Sequence, residues 1–399
     1  APTAGHSFFG IIYATADYLN AGGTFPAGST GSPSITFTTD TDTGIYRRGS
    51  GDIGFVSNST EIVNIDGNGL TVTSKDATIN SVNIGKGANS VANNTVLGES
   101  ALDASVSGGN NTAVGKEALT ALTSATSCTA VGHIAGFSHT TGNNLTAIGR
   151  GAAYANTTGA ENTGIGAGAL FDNTTGDSNT AVGRLALESN TTADNNTAVG
   201  KSSLAANTTG TLNTAVGANA LQSNTTANAN TAVGSESLKT NTTGHSNVAV
   251  GDESLKLNTT GDKNTAIGND ALLANTTADN NTAVGNAALT ANTTGTSNVA
   301  VGALALDAAT TADNNTAVGF NAGSEITTGS ENTILGSAAL DALTTGANNT
   351  AIGYRALTIA TTSDNNTAVG KDALLVNTTG SDNNAFGRQT LDACTTGAN

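Results

Sequence analysis

Three aromatic residues, Phe137, Tyr154 and Phe171, stand seventeen residues apart. Elsewhere that phase is mostly polar or small, as at Asp103, Glu188, Lys239 and Ser324. If the chain winds in seventeen-residue coils, the three rings form a column near the surface. Such a column is a possible contact patch for a sugar ring or a protein surface. A packing role competes with it and is the simpler reading. Two of these coils lack the core leucine of the others, carrying Gly136 and Ala153 instead, and inward-leaning rings would fill the missing volume.

Other reactive residue types are scattered. His6, His133, His139 and His245 share no metal-ligand spacing. Asp194, Asp279, Asp313 and Asp364 recur before N-N-T sequences; a cation held between chains competes there with solvated turn carboxylates, the plainer account. No phosphate loop, nucleophile elbow or calcium-binding nonapeptide is present. Paired carboxylates for glycoside cleavage would need aromatic platforms, and aromatics are only 4% of the chain. The expectation is therefore no enzyme, no cofactor and no metal. Cys128 and Cys394 each replace an Asn of a repeat about sixteen coils apart, too far to bridge within one chain. They read as small buried thiols, with a bridge between copies as the alternative.

The element that would position these residues is a repeat. A glycine recurs every seventeen residues from Gly98 to Gly387, in units close to N-T-A-V-G-x-x-A-L-x-x-N-T-T-G-x-x. Eighteen units run from Asn94 to Asn399 without insertion or deletion. A period this short is one supersecondary turn stacked on copies of itself. Seventeen residues are too few for two helices, so the predicted fold is all-β: a parallel β-solenoid or β-roll. Each coil is expected to hold two short strands, N-T-A-V-G and x-A-L-x-x. Gly115, Gly183, Gly217 and Gly285 exemplify the corner with positive φ. Leu119, Leu187, Leu221 and Leu289 exemplify the core plug. By alternation, Thr and Val are assigned to the interior and the near-invariant Ala to the outer face. A small apolar outer residue must be covered, and three chains around an axis would cover it, so a homotrimer is expected. The two Asn of each unit should form hydrogen-bonded columns. The resulting sequons, such as Asn156, Asn173 and Asn207, are by-products of those columns.

Ahead of the array, residues 1–33 read as a connecting segment, 34–80 as a small β-meander with a turn over Asp66 to Gly69, and 81–93 as a variant coil. The net charge of -16 argues against nucleic acid, and no apolar run is long enough for membrane insertion. The sequence contains no Met and is read as part of a longer product.

The stretch SPSITFTTDTDTGIYRRGSGDIGF followed by EIVNIDGNGLTV resembles a segment common in bacteriophage tail fibres. The N-T-A-V-G-x-x-A-L repeats resemble those of tail fibres that carry a C-terminal intramolecular chaperone. The N-V-A-V-G of Asn247 to Gly251 is also similar to the repeat of trimeric autotransporter adhesin heads, whose fold is a trimeric left-handed β-roll. The adhesin repeat is shorter, so the added residues should enlarge a turn. The resemblance implies a structural shaft on the virion, extracellular, partnered by its own copies and other tail or baseplate proteins. It also implies presentation of a tip to a host surface polysaccharide or protein. The alternatives are a trimeric adhesin on a bacterial cell surface, an ice-binding solenoid suggested by the Thr columns, and a tailspike depolymerase.

Overall fold

In the computed structural model the described residues are 27–37, 39–49, 51–73 and 76–397. They fall into two compact units, one of residues up to Asn80 with Ile84–Lys86, the other of Ser81–Asn83 and Gly87 onward. Most of the expected connecting segment lies outside the described residues.

The first unit contains a five-stranded antiparallel meander, β1 (Ile35–Phe37), β2 (Asp40–Gly49), β3 (Asp52–Ser57), β4 (Thr60–Asp66) and β5 (Gly69–Val72), paired in sequence order. Asn58 and Ser59, both with positive φ, join β3 to β4, which is the backbone a tight hairpin requires. Asp66 pairs with Gly69 across the expected turn. Tyr46 lies across Gly54, where a Cβ would collide with the ring, and its hydroxyl bonds the Glu61 carboxylate. Arg48 approaches the same carboxylate at 3.5 Å.

The second unit is a parallel β-solenoid of seventeen-residue coils. Its repeating strands run from β8 (Thr95–Gly98) through β9 (Thr112–Val114) to β25 (Asn384–Phe386), with β6 (Ala77–Ile79) and β7 (Val82–Gly85) preceding them in sequence. Each strand pairs in parallel with the ones seventeen residues before and after, as in Thr197↔Thr214, Ala198↔Ala215 and Val199↔Val216. The backbone bonds repeat with the coil: the Thr197 N–H donates to the Asn213 carbonyl at 2.8 Å, and the Gly200 N–H to the Val182 carbonyl at 2.8 Å.

Two expectations are corrected. There is one strand per coil, not two. The x-A-L-x-x segment is a run of turns in which the core leucine is itself left-handed, with φ of 51° at Leu119, 49° at Leu187, 50° at Leu221 and 52° at Leu289. A left-handed residue costs roughly 1–2 kcal/mol, and burying a leucine returns roughly 1.5–3 kcal/mol. The conformation also lets the Leu204 N–H reach the Ala220 carbonyl of the next coil at 3.0 Å, so the turns are hydrogen-bonded between coils as the strand is. All four leucines are fully buried.

Alternation holds, but the assignment of faces is inverted: Ala points into the coil, and Thr and Val point out. Ala113, Ala181, Ala198 and Ala215 are fully buried within one chain. Something does pack closely on the alanine, and it is the opposite wall of the same coil. At Gly164, which takes the alanine position, a Cβ would sit 3.2 Å from the Ala169 carbonyl oxygen and 3.7 Å from Leu170 Cδ1. The coil is thin, so a small residue on one wall is what admits a leucine from the other.

The corner glycines meet two demands. Gly183 has φ of 139°, and a Cβ there would lie 2.4 Å from the carbonyl oxygen of Gly200. Gly115, Gly217 and Gly285 share the positive φ and the same approach to the next coil.

Candidate functional site

The asparagine columns are present, inside the coil. In one, Asn207 Nδ2 donates to Asn190 Oδ1 and to the Gly210 carbonyl, both at 2.9 Å, while Asn207 Oδ1 accepts from Asn224 Nδ2 at 2.9 Å. In the other, Asn196 Oδ1 accepts the Asn213 N–H at 2.9 Å and Asn196 Nδ2 donates to the Gly210 carbonyl at 2.8 Å. Each amide thus stitches a turn to the neighbouring coil, satisfying buried polar groups that a thin core cannot leave unpaired. The sequon residues Asn156, Asn173 and Asn207 are fully buried, out of reach of glycosylation in the folded chain.

One substitution in these columns keeps the bonding pattern, whereas Leu122, Leu145 and Ile326 interrupt it with apolar side chains. His139 replaces an Asn, is fully buried, accepts from Asn156 Nδ2 at Nδ1 (2.8 Å) and donates from Nε2 to the Gly142 carbonyl (2.5 Å). That network requires the neutral Nε2–H tautomer. Burial lowers the His139 pKa, opposed by its bonds to Gly142 and Asn156. Cys128 lies 3.6 Å from His139 Nε2, and burial raises its thiol pKa. Neither side chain reaches solvent, so the pair has no route to a substrate. Cys128 and Cys394 are both free thiols, and Cys394 is only partly buried.

The turn carboxylates have structural work. Asp194 Oδ1 accepts the Asp177 N–H at 2.7 Å, Asp279 the Asp262 N–H at 2.7 Å, Asp313 the Thr296 N–H at 2.6 Å and Asp364 the Ala347 N–H at 2.8 Å. Each caps a turn of the preceding coil. Further along, Lys256 bridges Glu236 and Glu253 at 2.8 Å each, and Lys239 reaches Glu236 at 2.7 Å. Hydrogen bonds from Lys239 and Lys256 hold the Glu236 carboxyl down at about 2.

The aromatic column forms as expected. Phe137 and Tyr154 stack at 5.2 Å with ring planes 12° apart, and Tyr154 and Phe171 at 4.9 Å and 9°. All three rings are half-buried. They do not fill the gap left at Gly136. That volume is taken by Leu119 and by Leu145, which replaces a column asparagine; a Cβ on Gly136 would meet their Cδ2 atoms at 2.9 and 3.3 Å. The same exchange recurs at Gly323, where Ile326 and Ile334 crowd the space.

Beside the stack is a depression of about 270 Å³ lined by Ile134, Arg150, Gly151, Ala167, Gly168, Phe171, Arg184, Leu185 and Glu188. Gly151 and Gly168 carry no side chain where neighbouring coils have Ile134 and Leu185, and that lowers the floor. The arginines belong to a column that sequence reasoning passed over: Lys116, His133, Arg150, Ala167, Arg184 and Lys201, all exposed. Reading every phase of the repeat, rather than the aromatic phase alone, would have exposed it.

Two apolar faces also stand open. The outer face of the solenoid strands carries Thr, Val, Ile and Leu from Thr112 to Val369, then Asn384 and Phe386, with no charged residue. Val199 is 36% exposed, Ile267 41% and Leu335 48%. On the meander, Ile35, Ile45, Phe55, Val63 and Val72 pair across the sheet in register, with Ile53, Ile65 and Leu70 on the same face and the exposed Arg47 opposite Ile53. Leu70 is 66% exposed.

No protein-family model matches the chain, no curated protein matches it, and no solved structure matches it. Among the described residues, no helix is long and apolar enough to cross a membrane.

Proposed function

We propose that this chain is the shaft of an extracellular fibre of the phage tail-fibre type, built to extend and to hold other parts at a distance. The observation that carries this reading is the unbroken register of the parallel ladder from Thr95 to Phe386, in which every coil repeats the same bonds. Eighteen coils at the ~4.8 Å strand spacing make an array roughly 85 Å long. Continuous bonding between coils along that length favours stiffness and protease resistance. The proposed partners are two further copies of the chain and other tail or baseplate proteins, with a host polysaccharide or protein at the contact end.

The trimer now rests on different residues. The alanines are covered by their own coil, so the faces that would meet sister chains are the Thr/Val face and the apolar face of the meander. A five-stranded sheet with one largely apolar face open, Arg47 its charged member, gains stability when that face is covered. Solution mass tests this. Three times 38.9 kDa supports the trimer, and rods of the expected length should appear in electron micrographs. A 38.9 kDa species at micromolar concentration, or a globular particle, would overturn the proposal.

One observation favours a second reading, an ice-binding surface. The two ranks of side chains, Thr and Val, recur at the strand spacing on a face without charge. Thermal hysteresis at micromolar protein, abolished by Thr214→Lys with Thr231→Lys, would establish it; freezing at the buffer's own point would remove it.

A further inference from the structure

The depression beside Phe171 has the chemistry of a ligand site, independent of whether the solenoid serves as a fibre shaft. Its floor is backbone at Gly151 and Gly168, held at φ of 64° and 68°. Phe171 ends the aromatic stack, because the next residue in its column is Glu188. One face of that ring therefore lacks an aromatic neighbour. Arg150 and Arg184 line the same depression, two coils apart, roughly 10 Å at the strand spacing. Neither forms a salt bridge among the described residues, whereas Lys116 in the same column is paired with Glu99 at 3.2 Å. Four of the chain's fourteen Lys and Arg fall in this one column, over six consecutive coils of a protein with net charge -16. Two unpaired guanidiniums in an otherwise acidic chain mark this patch for an anion.

We propose that this depression binds a carboxylate-bearing sugar ring of an acidic polysaccharide. The apolar face of the ring stacks on Phe171. Its carboxylate takes the guanidinium of Arg150 or Arg184, whose planar donors match two carboxylate oxygens. Glu188 sits in the same depression and accepts hydroxyl protons, which a bare inorganic anion could not offer. The volume of about 270 Å³ is at the small end of ligand pockets, usually ~300–1,000 Å³, so it holds one ring. Lys116 and Lys201 extend the positive column to either side, where further carboxylates of the same polymer would lie.

The repeat supplies conservative variants. Other coils carry Ser235 and Ser337 at the arginine phase and Thr290 and Thr358 at the Phe171 phase, so these side chains fit the coil. The test is calorimetric titration of the full chain with α-1,4-trigalacturonic acid, its methyl ester, maltotriose and sodium sulfate, at low and high salt. Expected is saturable binding of trigalacturonic acid, at least tenfold weaker for the ester and for maltotriose, and weakened by salt. Arg150→Ser with Arg184→Ser should weaken it at least tenfold with the melting curve unchanged, and Phe171→Thr severalfold with a small drop in melting temperature from the lost stack on Tyr154. Arg388→Ser, in the same phase far along the array, should leave it unaltered. No binding of trigalacturonic acid would overturn the proposal. So would equal binding of acid and ester, equal binding of sulfate, or arginine variants indistinguishable from the parent.

Discussion

The exchange between Gly136 and Leu145 predicts a strong compensation. Gly136 has φ of 58°, close to the values at the core leucines, so the backbone there accepts a leucine. Space does not, because a Cβ would meet Leu119 at 2.9 Å and Leu145 at 3.3 Å. Gly136→Leu alone should cost about 2 kcal/mol by overpacking. Leu145→Asn alone removes a fully buried leucine and leaves a hole over Gly136, costing about 3 kcal/mol. Together the substitutions restore the common coil. Asn at 145 would offer its Oδ1 to the Asn162 N–H, as Asn162 does for Asn179 at 2.9 Å. The double variant should lie within about 1 kcal/mol of the parent, a coupling of about 4 kcal/mol, beyond that usual for neighbours. The assay is native-state hydrogen exchange of amides in the coils around it, including the Thr129 N–H that donates to the Leu145 carbonyl at 2.7 Å. Local opening is the appropriate readout because long repeat arrays do not always unfold as one unit. A coupling below about 1 kcal/mol would refute the claim that the core conserves volume between its two walls.

Four further outcomes are expected. Gly183→Ala should destabilise by about 3 kcal/mol or more in denaturant titration, because the positive φ and the 2.4 Å approach to Gly200 both oppose a Cβ; a neutral result would contradict the coil contact. Asn207→Ala removes the partner of several buried amide groups and should cost about 3 kcal/mol, whereas Thr209→Ala, at an exposed neighbour, should be near neutral by the same measurement. His139 has a folded pKa below its unfolded value, so its contribution to stability is present above pH 6.5 and declines as pH falls below that, where the unfolded chain takes up the proton first; His139→Asn should flatten this part of the pH profile, and an unchanged profile would count against the buried neutral imidazole. The Glu236 carboxyl should titrate at about 2 by NMR and move up toward 4.5 in Lys239→Ala with Lys256→Ala; a value near 4.5 in the parent would mean the lysines do not hold it.

The sequence by itself determined the period, the parallel register, the corner glycines, the leucine core and the two asparagine columns. These follow from identity between units, since whatever one coil does every coil must do, and a stack of equal coils can bond only in register. Alternation in N-T-A-V-G also separated Thr and Val from Ala correctly. Which set faces inward was not determined, because that depends on how near the opposite wall of the coil comes. The left-handed leucine set that distance. Its clue was present in the Asn, Ser and Gly residues that fill other left-handed positions, such as Asn195, Ser202 and Gly168, but a leucine carries no such mark. The candidate site divides the same way. The aromatic column was visible as a phase of the repeat. The depression beside it arises where columns from different phases meet, Gly151 and Gly168 under Phe171 with Arg150 and Arg184 alongside, and only the folded coil brings those phases together.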